Sequence, residues 1–169
     1  MSGVDCALVT GAAGFIGSTL AESLVAEGRR VVGFDNFDPF YDRALKRRNL
    51  DRLHESDSFH FVEGDIRDTP GLARVLEDHE VSGVVHLAAL AGVRPSLERP
   101  TEYSDVNVTG TASVLEASVR SGVSRVVFAS SSSVYGERSD GPFRESDPVE
   151  RPISPYAATK RAAELVAHT

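Results

Sequence analysis

The segment Thr10-Gly11-Ala12-Ala13-Gly14-Phe15-Ile16-Gly17 constrains this chain more than any other. Val4 to Thr10, just before it, reads as a short buried strand. Phe15 to Glu27, just after, carries Phe15, Ile16, Leu20, Leu24 and Val25 at helical spacing until Gly28 stops the run. In a strand–turn–helix of this kind the three glycines have separate uses. Gly11 permits the tight turn, Gly14 lets backbone approach a pyrophosphate, and Gly17 lets helix and strand pack closely. The free N–H groups at the helix start then face an anion with the helix dipole behind them. Glycines at this spacing also occur in structural turns, so the flanking elements carry the reading.

Those elements continue as an alternation. Strands are predicted at Arg30 to Phe34, Phe59 to Val62, Val84 to Leu87 and Arg125 to Ala129. Helices are predicted at Arg43 to Leu53 (a basic insert after the Asp35–Tyr41 loop), at Pro70 to His79 and at Asp105 to Ser121, with Gly122 closing the last. A polar loop covers Glu137 to Pro152, and Ser154 caps a helix still running at Thr169. Strands nearly continuous in Val, Leu and Phe suit a parallel sheet covered on both faces, and right-handed crossovers make it doubly wound.

Composition narrows the partners. With 169 residues the chain is expected to be one domain, able to bury roughly 70% of its unfolded surface. The 25 acidic residues against 18 Lys or Arg give a net charge of −7, which argues against a nucleic-acid binder. No apolar run spans a membrane, and Met1-Ser2-Gly3-Val4-Asp5 lacks the look of a signal peptide. A single cysteine, Cys6, excludes an internal disulfide and a cysteine-based metal cluster. A cytoplasmic protein with no metal is the expectation.

Three further features carry chemistry. Asp35 ends the second strand about 20 residues beyond the glycines, where a carboxylate accepts hydrogen bonds from an adenosine ribose and repels a 2′-phosphate. That favours NAD over NADP, the alternative being a strand-end Asp that caps a loop. Asp65-Ile66 after the third strand could hold adenine between a polar and an apolar contact, or be a simple turn. Tyr156 and Lys160, at i and i+4, share a helix face. A free tyrosine has a pKa near 10; a Lys ammonium, a cationic nicotinamide and a helix N-terminus all favour its phenolate. Ser154 as N-cap and Pro155 at the first position put Tyr156 in the first turn, where it could act as a general base on a hydroxyl whose carbon loses hydride. The Ser130–Gly136 segment follows the fifth strand, at the end where parallel sheets bind ligands, and a hydroxyl there could bridge Tyr156 and a substrate oxygen.

Taken together, Thr10–Gly17, Asp35-Asn36, Gly64-Asp65-Ile66, His86-Leu87-Ala88-Ala89, Asn107 with Gly110-Thr111, Ser130–Gly136 and Tyr156–Lys160 resemble the extended short-chain dehydrogenase/reductase family, the NAD-dependent nucleotide-sugar epimerases and dehydratases. The stretch Asp35–Asp42, the basic residues after it, Ala91–Ser96 and Tyr156–Lys160 running into Glu164 and His168 look most like UDP-glucuronate 4-epimerases. The resemblance implies an α/β, Rossmann-like doubly wound parallel sheet over residues 1–169, truncated before the C-terminal substrate-binding part. It implies Tyr156 as base, Lys160 on the nicotinamide ribose and tuning Tyr156, and Ser131 as the bridging hydroxyl. Gly11, Gly14, Phe15, Ile16, Gly17, Asp35, Asn36, Asp65, Ile66, Leu87, Ala88, Ala89 and Ala91 would line NAD, with Asn107 orienting the backbone beside it. Ser132 and Ser133 stand where sister dehydratases place an Asp-Glu pair, which disfavours 4,6-dehydration. Arg94 is a candidate for a sugar carboxylate. The implied reaction is 4-epimerisation of a UDP-sugar, UDP-glucuronate or UDP-galacturonate favoured, through a transient 4-keto intermediate. A homodimer or a completing C-terminal chain would be the partner. The alternatives are a non-catalytic NAD-binding module and a dehydratase or dehydrogenase of the same fold.

Overall fold

A computed structural model describes residues 5–137 and 141–169. Val4, expected as the first strand residue, and residues 138–140 of the expected polar loop lie outside the described residues. Five parallel strands form one sheet: β1 (Cys6–Thr10), β2 (Arg30–Asp35), β3 (Phe59–Glu63), β4 (Gly83–His86) and β5 (Arg125–Phe128), in the spatial order β3-β2-β1-β4-β5. The chain moves outward from β1 to β3, then returns to the other side of β1 for β4. Loops at the C-terminal ends of β1 and β4 therefore diverge and leave a crevice between them.

Strand alternation sorts the core onto two faces. Ala7 and Val9 of β1 pack with Ala21, Leu24, Leu50 and Leu53 beneath α1 (Phe15–Ala26) and α2 (Arg43–Leu50). Cys6 and Leu8 pack with Leu72, Leu76, Val114 and Ala117 beneath α3 (Thr69–Asp78) and α6 (Gly110–Arg120). Every residue of β1 and β4 is buried, as expected for central strands covered on both sides. β5 pairs only with β4 and leaves Val127 46% exposed.

Helix starts follow local chemistry. The Asp68 carboxylate accepts from the Gly71 N–H at 3.1 Å ahead of α3, and Pro70 occupies its first turn. Ser154 Oγ accepts from the Ala157 N–H at 3.1 Å, opening α7 (Pro155–His168) as its sequence predicts. Some elements differ from expectation. The basic insert predicted from Arg43 to Leu53 is helical only to Leu50, followed by a 3₁₀ turn at Leu53–Glu55. The helix predicted from Asp105 begins as a π turn over Asp105–Thr109, and α6 proper starts at Gly110. Two short helices between β4 and that turn, α4 (Val93–Glu98) and α5 (Pro100–Ser104), have no predicted counterpart. Each is too short for hydrophobic periodicity to register. A 3₁₀ turn at Ser132–Tyr135 lies within the expected serine-rich turn.

A buried hydrogen-bond chain ties these layers together. Thr10 Oγ1 accepts from the N–H groups of Leu87 and Ala88, both at 3.1 Å, so its own hydrogen goes to His86 Nδ1 at 2.7 Å. Thr111 Oγ1 donates to the Asn107 carbonyl at 2.6 Å and is left to accept from His86 Nε2 at 3.0 Å. The partners thus assign the neutral Nε2–H tautomer. Burial, and secondarily the charge of Lys160, push the His86 pKa down to about 3.

A neutral histidine in the folded state and an ordinary one in the unfolded chain make stability fall with acid. The unfolded state takes up the extra proton between about pH 6.5 and 3, so the contribution is intact above 6.5 and is lost as pH drops toward 3. At about 1.4 kcal/mol per pKa unit this is on the order of 4–5 kcal/mol. In His86→Gln, which is less stable at neutral pH, the slope of unfolding free energy over that window should flatten. An unchanged slope in urea melts would contradict the assignment.

Candidate functional site

The crevice is a cleft of about 350 Å³ lined by the first turn of α1, the ends of β1, β2 and β4, and Tyr156 and Lys160 of α7. Its floor is the glycine turn. Gly11, at φ +71°, takes the left-handed conformation, and its N–H donates to the Phe34 carbonyl of β2 at 2.8 Å. A Cβ there would lie 2.9 Å from the Ala88 amide nitrogen. A Cβ on Gly17 would lie 2.1 Å from the Gly11 carbonyl oxygen, so the first turn of α1 sits directly against the backbone leaving β1. Gly14 caps the helix with no side-chain hydrogen bond, and no acidic residue stands in the first turn. The N–H groups of Phe15, Ile16 and Gly17 have no acceptor among the described residues. Unpaired donors, a dipole end and no local carboxylate suit an anion such as a pyrophosphate.

Two carboxylates stand farther along the cleft. Asp35 is the last residue of β2 and 6% exposed. It accepts from the Ala13 N–H at 3.1 Å and the Phe37 N–H at 2.8 Å, and pairs with Lys46 Nζ at 3.2 Å. Asp65 accepts from Asn36 Nδ2 at 3.1 Å and from Arg67 at 2.7 and 2.9 Å, and these bonds hold its pKa down to about 2. Arg67 also reaches Asp105 at 2.5 Å. Ile66 and Gly64 stand beside Asp65 on the cleft wall.

At the other end, α7 brings Tyr156 and Lys160 to the wall. Lys160 is 4% exposed and its ammonium lies 4.2 Å over the Phe128 ring. Burial lowers its pKa to about 8, with Glu164 opposing. α7 is held in place by Asn107. The Asn107 amide accepts from the Leu90 N–H at 2.8 Å and donates to the Leu90 carbonyl at 3.0 Å and to Thr159 Oγ1 at 3.2 Å. Thr159 in turn donates to the Tyr156 carbonyl at 2.9 Å. Tyr103 meets Tyr156 edge-on and donates to the Ala91 carbonyl at 2.5 Å.

The structure brings nearly all sequence-predicted cofactor residues to one cleft: Gly11, Gly14, Phe15, Ile16, Gly17, Asp35, Asn36, Asp65, Ile66, Leu87, Ala88, Ala89 and Ala91, with Tyr156 and Lys160. Asn107 is not on the wall; its side chain is spent on Leu90 and Thr159. Ser131 caps the 3₁₀ turn by accepting from the Ser133 N–H at 3.2 Å and is not on the wall, whereas its neighbour Ser130 does line the cleft. Ser132, Ser133 and the exposed Arg94 of α4 also lie off the wall. Unpredicted wall residues include Asp38, Phe40 and Tyr41 of the loop before the insert, Lys46 of the insert itself, and Phe34, Leu90, Val106 and Ala129. A lysine in a basic helix looks like any solvated charge, so sequence spacing gave no signal for Lys46.

The family described as GDP-mannose 4,6 dehydratase matches this chain over residues 8–169. A UDP-glucuronate 4-epimerase from Thermodesulfobacterium geofontis is 48% identical over 162 residues, covering 96% of this chain and 50% of the relative. The crystal structure of a UDP-glucuronic acid 4-epimerase from Bacillus cereus, with UDP-glucuronic acid and NAD, superposes with a TM-score of 0.88 at 38% identity, covering 96% of this chain and 51% of that one. A dTDP-glucose 4,6-dehydratase from Streptomyces venezuelae with NAD bound gives 0.88 at 39% identity, covering 96% and 50%. The chain spans about half the length of the curated relatives it matches.

Two outcomes test the site's geometry. Gly17→Ala must displace the Gly11 carbonyl or the helix, an overpacking cost of about 3 kcal/mol, which lowers the melting temperature by roughly 6–12 °C in a chain of this size. A melt shifted by less than about 2 °C would exclude that contact. Lys160 should titrate near pH 8 in an NMR experiment on its side chain; a midpoint at the ordinary lysine value would mean the ammonium is solvated.

Proposed function

This chain belongs to the GDP-mannose 4,6 dehydratase family, and on that premise we propose that it binds NAD and carries the proton-transfer machinery of a nucleotide-sugar 4-epimerase of the UDP-glucuronate type. The observation that carries this reading is one cleft that joins the glycine turn, two carboxylates and the Tyr156–Lys160 pair. The amides of Phe15, Ile16 and Gly17 would hold the pyrophosphate, Asp35 the adenosine ribose, and Asp65 with Ile66 the adenine. Leu87, Ala88, Ala89 and Ala91 would flank the nicotinamide half. Bound NAD would supply a hydride acceptor and, in the return direction, a hydride donor at C4 of the sugar.

The chain's own part is the proton. Tyr156 sits in the first turn of α7, at the positive end of the helix dipole. Lys160, one turn on, adds positive charge on the same face. As general base, Tyr156 takes the C4 hydroxyl proton, and it returns that proton when the 4-keto sugar is reduced from its other face. Ser131 would contribute through its hydroxyl hydrogen, which has no acceptor among the described residues. Asn107 fixes α7 through Thr159 and so positions the base. Ser132 and Ser133 offer no carboxylate for water elimination, which supports epimerisation over dehydration. Residues 1–169 are taken as a single cofactor domain, with a second copy or a further segment completing the sugar pocket.

Native mass spectrometry with added NAD should find about one NAD per chain and also reads monomer against dimer. A chain that never takes up NAD would overturn the cofactor reading. With UDP-glucuronate, formation of UDP-galacturonate without accumulated NADH supports epimerisation, and a 4-keto-6-deoxy product would identify a dehydratase. Tyr156→Phe should keep NAD binding and lower turnover by about 10²–10⁴-fold.

A further inference from the structure

Glu164 stands off the cleft wall and acts on two groups that line it. On α7 it follows Lys160 by four residues and Tyr156 by eight, so the three share one face of the helix. Arg161 Nη1 donates to its Oε2 at 2.9 Å, which leaves Oε1 for the segment after β5. There the Ser130 hydroxyl donates to Oε1 at 2.5 Å. Ser130, Tyr156 and Lys160 are on the wall, and Glu164 is not. The Glu164 side chain is 25% exposed, so solvent screens its charge only in part.

The bond to Ser130 has a fixed polarity. A carboxylate only accepts, and a hydroxyl has a single hydrogen. That hydrogen is spent on Glu164, so Ser130 offers the cleft lone pairs alone. Hydrogen bonds to a charged acceptor are the strong kind. This one joins α7 to the end of β5 across 34 positions of chain. Ser131, the next residue, caps the 3₁₀ turn that follows. The same bond thus braces the serine segment against the helix that carries Tyr156.

Lys160 has no carboxylate in contact among the described residues. Its ammonium lies over the Phe128 ring of β5, and His86 of β4, whose ring feels the lysine charge, is neutral. Among the described residues Glu164 is the one anion whose charge reaches Lys160, and it opposes the lowering that burial causes.

We propose that Glu164 is a positioning residue for the tyrosine–lysine end of the cleft: it holds Ser130 as an acceptor-only hydroxyl braced to α7, and it supplies the counter-charge of Lys160. The consequence for binding rests on the NAD reading, in which Lys160 as an ammonium donates to the nicotinamide ribose. The two actions are separable, since one needs the reach of the side chain and the other its charge.

The test uses the whole chain and three variants, each followed by thermal melt and by NMR titration of the Lys160 side chain. Glu164→Gln keeps the shape and can still bond to Ser130, but loses the charge. Glu164→Asp keeps the charge and falls one methylene short of Ser130. Ser130→Ala removes the bond and leaves the carboxylate. The Lys160 midpoint, near pH 8 in the native chain, should move down in Glu164→Gln and stay in place in the other two. Glu164→Asp and Ser130→Ala should each melt roughly 3–8 °C lower, the loss of one hydrogen bond to a charged group. Calorimetric titration with NAD carries the readout to the cofactor. Wild-type affinity should fall as pH rises through the Lys160 midpoint, and in Glu164→Gln that fall should begin at lower pH. A midpoint that does not move in Glu164→Gln overturns the role of Glu164, because a residue that only braces the fold would give that result. Melts of Glu164→Asp and Ser130→Ala within about 1 °C of the wild type overturn the brace, and Ser130→Ala decides this whatever the fate of the Glu164 variants. A wild-type chain that takes up no NAD overturns the cofactor reading, while the midpoints and melts still decide what Glu164 does.

Discussion

The backbone of β1 leaves the sheet at Gly11 in a space that admits no side chain on either side. Ala88, from the end of β4, closes in on one flank, and the first turn of α1 presses Gly17 against the Gly11 carbonyl on the other. This contact brings the start of α1 to the floor of the crevice between β1 and β4. It leaves three backbone N–H groups at the cleft with no acceptor among the described residues. Removing the Cβ atoms is what makes the helix terminus available, and the sheet order β3-β2-β1-β4-β5 supplies the crevice.

Around that floor neither carboxylate stands alone. Asp35 is matched by Lys46 and two amides, and Asp65 by Arg67 and Asn36. An isolated buried carboxylate is costly, whereas these have their lone pairs largely filled. Lys160 is treated differently. It has no carboxylate within salt-bridge distance among the described residues, lies over an aromatic ring, and is held near pH 8 by burial. The end of the cleft that holds Asp35 and Asp65 is thus electrostatically settled, while the end that holds Tyr156 keeps a lysine whose pKa is lowered to about 8. Such perturbation is common where a group must exchange or stabilise a proton.

A line of uncharged polar contacts connects the end of β1 to α7. It runs from Thr10 through His86 and Thr111 to Asn107, then through Thr159 to the backbone of Tyr156. Each donor along it has an assigned acceptor, which is the condition under which buried polar groups rigidify a core instead of weakening it. The π turn at Asp105–Thr109 carries Asn107, the member that reaches both the β4 loop and α7. Widened helical turns of this kind recur at functional sites.

The strand–helix alternation, the glycine turn, the Ser154 cap with Pro155 behind it, and the i, i+4 relation of Tyr156 and Lys160 were all legible in the residues. Each depends on contacts within a few positions along the chain. The positions that the resemblance implied for a cofactor, from Gly11 to Ala91, meet on one cleft because they follow strands whose ends converge in a sheet of this topology. Other features depend on partners far away in sequence. Lys46 turned inward because Asp35, eleven positions earlier, lies beneath its helix. Asn107 holds the Leu90 backbone beside the cleft, as expected, but its bond to Thr159, 52 positions away, had no sequence signal. Ser131 became a cap, one position behind the wall residue Ser130. The sequence by itself determined a parallel α/β sheet with an anion-binding turn and a tyrosine–lysine pair, since periodicity and local capping decide those. Only the tertiary structure decided which polar groups face the cleft and which are spent inside the protein, because that depends on the geometry of long-range hydrogen bonds and ion pairs.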